Sequence, residues 1–153
     1  VTLPPFGATQ FAQAAHILAG CALAYGSARL IGLPEGYWAL VTAVVVTQPD
    51  LPHTLAASRT RIVGTLIGAA VGAAAIVGRR HGQPTLPLYA AGMVPLALLT
   101  AAWPSLRLSC VTLIVVFLAP VGEGAFLWPM DRVLEIVLGT LAALLVSLVR
   151  WPK

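Results

Sequence analysis

Charge is scarce in this sequence. Of its 153 residues only 9% are Asp, Glu, Lys or Arg, whereas a soluble globular domain carries roughly 25%. That shortfall excludes a water-soluble monomer. Lysine is almost missing: eight of the nine basic residues are arginines, and Lys153 is the other. A formal charge of +4, thinly scattered, excludes the basic stripe of a nucleic-acid surface. Cysteine is equally sparse. Cys21 and Cys110 both lie in apolar runs, where a thiol packs as a small apolar group, so neither a disulfide nor a thiolate metal site is expected. Three scattered histidines form no ligand cluster. Nucleophile elbow, HExxH and Walker glycine loop are absent, so no enzyme and no cofactor are expected. The opening Val1-Thr2-Leu3-Pro4-Pro5 lacks the basic n-region of a secretory signal, which predicts that the first apolar segment stays as a membrane helix.

What is present is apolar sequence in long runs: 59% hydrophobic residues and a mean hydropathy of +0.91. The runs show no polar/apolar alternation, which argues against a β-barrel. The fold class expected is therefore all-α, a polytopic membrane protein in a lipid bilayer. A span takes about 20 residues, so the length allows at most about six or seven, with no room for a soluble catalytic domain. Six are predicted, over residues 7–33, 36–48, 54–77, 86–103, 106–121 and 130–151. Pro34, Pro49, Pro52, Pro84, Pro104, Pro120, Pro129 and Pro152 fall at or near span ends, whereas Pro95 lies inside span four and should kink it. Trp38, Trp103, Trp128 and Trp151 also fall near ends, as in an interfacial aromatic belt. One side of the membrane would hold Arg59, Arg61, Arg107, Arg150 and Lys153. The other would hold Arg29, Arg79, Arg80 and Arg132, with the acids Glu35, Glu123 and Asp131. The small excess on the first side predicts that both termini are cytoplasmic.

The two halves, residues 1–78 and 84–153 of one transmembrane domain, echo each other. Val41-Thr42-Ala43-Val44-Val45-Val46 resembles Val111-Thr112-Leu113-Ile114-Val115-Val116, and Gly64-Thr65-Leu66 recurs as Gly139-Thr140-Leu141. Three helices per half would make an inverted 3+3 repeat. Spans two and five, short and each ending at a proline (Pro49, Pro120), would then point to a midplane site.

Span three carries the most informative pattern. Gly64, Gly68 and Gly72 recur every fourth residue and line one helix face, which lets another helix approach closely. Arg61, three residues before Gly64, shares that face, whereas Arg59 points elsewhere and can snorkel to headgroups. An inward arginine is costly in a bilayer and marks either an ion path or a cap on backbone carbonyls. Glu135 lies four residues before Gly139, on another small-residue face. It could exchange a proton, or simply pair with Arg132, and pairing is the favoured role. His16 lies inside span one, where it could titrate or hydrogen-bond a neighbouring helix. Asp50 suits the turn and the start of span three. Thr42, Thr47 and Gln48 offer neutral hydrogen bonds.

Gly36-Tyr37-Trp38-Ala39-Leu40-Val41-Thr42, then Gln48-Pro49-Asp50, Thr54 and Arg61-Ile62-Val63-Gly64-Thr65 with Gly68 resemble the signature of the fusaric acid resistance and aromatic acid exporter family. Arg132, Glu135 and Gly139 resemble the pattern of its last helix. The resemblance is strongest over residues 30–72. It implies a six-helix module in the bacterial inner membrane and efflux of aromatic or other organic carboxylates. Plant aluminium-activated malate channels are related, so passive anion conduction is the alternative. A non-transporting subunit that needs a partner chain is the third reading. Full-length members resemble two modules, each followed by a cytoplasmic domain. A single module therefore implies a homo-oligomer, most simply a dimer. His16 stands where the family pattern leads one to expect a basic residue. On this reading Arg61 contacts a small organic anion, Gln48 and Thr42 orient it, and His16 or Glu135 carries the proton.

Overall fold

The computed structural model describes residues 7–33, 35–118 and 127–149. Expectations that rest on the first five residues, Pro34, Pro120, Val121, Glu123, Arg150, Trp151, Pro152 and Lys153, and on the side chain of Trp128, lie outside the described residues. Those described are helical and contain no strand. The helices are α1 (Ala8–Leu30), α2 (Tyr37–Val46), α3 (Leu51–Arg80), α4 (Thr85–Ala102), α5 (Leu108–Phe117) and α6 (Leu127–Ser147), with a 3-10 turn, Pro104–Leu106, leading into α5. Among the described residues two of these, α3 and α4, are both long and apolar enough to cross a membrane. The ten residues of α2 and of α5 rise about 15 Å, roughly half of a bilayer core.

Local chemistry explains the boundaries. Helices α1 and α3 end in the same way. Gly32 and Gly82 take φ of +75°, which lets Leu33 N–H reach the Ala28 carbonyl and Gln83 N–H reach that of Gly78. Helix α2 stops at Val46, two residues short of the expected end. Its cap Thr47 is already extended, and Gln48 precedes a proline. Helix α3 begins at Leu51 rather than Thr54, because the Asp50 carboxylate accepts the His53 N–H at 2.9 Å and caps it. Helix α6 begins at Leu127 rather than Met130. Pro129 falls in its first turn, where a missing N–H is harmless.

The chain forms two compact units, Val1–Ser58 with Val137–Lys153, and Arg59–Ile136. In the first, α1 and α2 run antiparallel. A Cβ on Gly20 would lie 3.6 Å from Thr47 Oγ1 and 3.9 Å from Ala43, and one on Gly36 would lie 3.1 Å from Ala28. The core between them is alanine-rich (Ala24, Ala28, Ala39, Ala43), with Ala142 of α6 packed into it. Small side chains let these backbones approach closely. In the second unit α3, α4 and α5 share Ala75, Leu96, Leu113 and Phe117 as their core. The boundaries fall inside α3 and α6: the first unit holds α1, α2, the start of α3 and the later part of α6, and the second holds the rest of α3, α4, α5 and the start of α6.

Candidate functional site

The α3 glycine face is the contact surface of the second unit. A Cβ on Gly64 would meet Ser109 N at 3.4 Å, one on Gly68 would run into the Ser109 carbonyl and lie 2.8 Å from Thr112 Cβ, and one on Gly72 would lie 2.8 Å from Val116 Cβ. Because the partners advance with the glycines, α3 and α5 lie parallel along this seam. Arg61 lies one turn before Gly64. It is buried, at 3% exposure, whereas Arg59 is exposed. The sequence separated these two arginines correctly.

Gly139 plays the same part in the first unit. A Cβ there would run into the Ala39 carbonyl and lie 2.8 Å from Thr42 Cβ, so α6 lies against α2 as closely as α3 does against α5. Thr42 is fully buried at this crossing. The packing counterpart of Gly139 is therefore Gly68, one turn later than the Gly64 suggested by the tripeptide match.

Arg132 and Glu135 are brought together as an ion pair of 2.8 Å on α6. His16 is half-buried, and its Nε2 lies 3.1 Å from the Val149 carbonyl. That oxygen only accepts, so Nε2 carries the proton in this contact. Gln48 is half-buried, with its side-chain nitrogen 3.4 Å from the Val45 carbonyl. The three candidate ligands are divided between the units: Arg61 belongs to the second, Thr42 and Gln48 to the first.

Two features escaped the sequence reading. A hydroxyl cluster gathers where α2 breaks before α3. Thr54 Oγ1 donates to the Asp50 carbonyl at 2.9 Å and lies 3.3 Å from Ser147 Oγ of α6, and Gln13 of α1 donates to the Thr47 carbonyl at 3.2 Å. In the second unit Arg79 donates to the Phe117 carbonyl at 2.7 Å and lies 5.3 Å from that ring's centre. It thereby caps the carbonyl end of α5. Among the described residues no group of His, Cys, Asp and Glu could hold a metal.

Residues 21–146 match the model of a family described as fusaric acid resistance protein-like. The chain belongs to that family. It is also 28% identical, over 130 residues, to the inner membrane protein YccS of Escherichia coli strain K12. The match covers 84% of this chain and 18% of that protein, so the chain spans less than a fifth of this relative's length. No solved structure matches the chain at a significant level. As a member of this family with this composition, the chain is a membrane protein.

Proposed function

We propose that this chain is the transmembrane module of an exporter of organic carboxylate anions, aromatic acids first among them, in a bacterial inner membrane with both termini cytoplasmic. The observation that carries the reading is Arg61, a buried arginine on the glycine seam of an apolar helix in a family member. An inward cation of this kind is costly in a bilayer and suits an anion path. His16 and Glu135 are the two proton sites of this scheme. Protonating Glu135 would open its contact with Arg132.

The inverted 3+3 repeat belongs to the same proposal. Its support is that Gly68 on Ser109 and Thr112 and Gly139 on Ala39 and Thr42 are equivalent crossings between matching elements of the two halves.

The test is flux of 4-hydroxybenzoate in liposomes holding the purified chain, with and without a pH gradient. Saturable flux that rises with the gradient supports the proposal. Steady current in planar bilayers without any gradient would instead make the chain a channel.

A further inference from the structure

Several hydroxyls within the described helices bond back to a carbonyl of their own helix. Ser27 reaches Leu23, Thr47 reaches Ala43, Ser58 reaches Thr54, Thr65 reaches Arg61 and Thr112 reaches Leu108. Ser109 does not. Its residue is fully buried, and its Oγ has no hydrogen-bond partner. The reason is positional. Ser109 is the second residue of α5, so the residue four before it is Ser105, in the 3-10 turn rather than in the helix. An orphaned buried hydroxyl is destabilising, and the equivalent position in the other half is occupied by Ala39. A polar group is thus kept where packing alone would accept alanine.

Its surroundings suggest a use. Ser109 sits on the seam, with the α3 backbone at Gly64 against its amide. Side chains on a helix lean toward the N-terminus, so Oγ leans to the start of α5. Since α3 and α5 run parallel, Arg61, one turn before Gly64, lies toward that same end. The start of a ten-residue helix adds the positive end of its dipole.

We propose that the Ser109 hydroxyl and the first turn of α5 form a second wall of the anion site that Arg61 serves, donating to the carboxylate of the bound acid. This rests on the reading of Arg61 given above.

The test is calorimetric binding of 4-hydroxybenzoate to the purified full chain in detergent, together with thermal unfolding without ligand. Ser109→Ala should weaken binding about tenfold or more, since a hydrogen bond to a charged group is lost. Its unfolding without ligand should be no easier than wild type, because an unsatisfied group is removed. Thr112→Val, which removes a hydroxyl already bonded to Leu108, should bind as wild type does. If Arg61→Ala loses binding while Ser109→Ala keeps it, the Ser109 assignment is overturned and that of Arg61 stands. Easier unfolding of Ser109→Ala with binding intact would make the hydroxyl structural. If Arg61→Ala binds normally, or the wild-type chain binds no carboxylate, both assignments fall.

Discussion

Arg132 and Glu135 face each other at 2.8 Å on successive turns of α6, their side chains 2% and 0% exposed. Breaking such a pair from one side takes from a buried charge the counter-charge at 2.8 Å, at a cost of about 3–5 kcal/mol. Arg132→Met and Glu135→Leu should each lower the thermal midpoint in detergent sharply. The double variant should recover much of the loss. A double variant no better than the sum of the singles would show that the two side chains act independently.

Gly68→Ala and Gly139→Ala place a methyl against backbone, at the carbonyls of Ser109 and Ala39, so the helices must separate. Each should cost about 1–3 kcal/mol or more. Gly26→Ala is the contrast, because nothing lies within 4 Å of its added methyl. It should be neutral or stabilising by up to about 1 kcal/mol. Chemical denaturation in mixed micelles ranks the three.

Gly32→Ala and Gly82→Ala meet no neighbour either, but their φ of +75° is strained for any L side chain. Each should cost about 1–2 kcal/mol. Trypsin cleavage after Arg29 and after Arg80, timed against wild type, reports whether the ends of α1 and α3 loosen.

Asp50 gives the protein an acid-sensitive helix start. Its carboxyl is held below the usual carboxylate range, first by the His53 backbone N–H and then by the His53 side chain. A lowered folded-state pKa contributes stability that is present above the unfolded value and is lost as pH falls through the folded one. Asp50→Ala should therefore be less stable than wild type at neutral pH, and the gap should narrow in strong acid. A gap independent of pH would remove the carboxylate from the cap.

Much of this was legible in the sequence because it is local. Apolar runs and prolines placed the helices, and the four-residue glycine spacing placed Arg61 on the inner face and Arg59 outside. The spacing of Arg132 and Glu135 gave their pairing. What was missed depends on contacts between distant elements. That α3 packs on α5 and α6 on α2 cannot be read from either half alone. Thr54 with Ser147, and Arg79 with Phe117, join residues from different helices. Ser109 left a faint signal, a serine where the matching stretch of the other half carries Ala39, but its orphaned hydroxyl follows from a 3-10 turn that no pattern announced.

The central claim is that Arg61 serves an anion path. The direct measurement is initial 4-hydroxybenzoate flux in liposomes for wild type, Arg59→Ala and Arg61→Ala, matched for inserted protein. The account predicts near-normal flux for Arg59→Ala, whose side chain is exposed, and loss of flux for Arg61→Ala, whose side chain is buried on the seam. Equal flux from Arg61→Ala and wild type would contradict it.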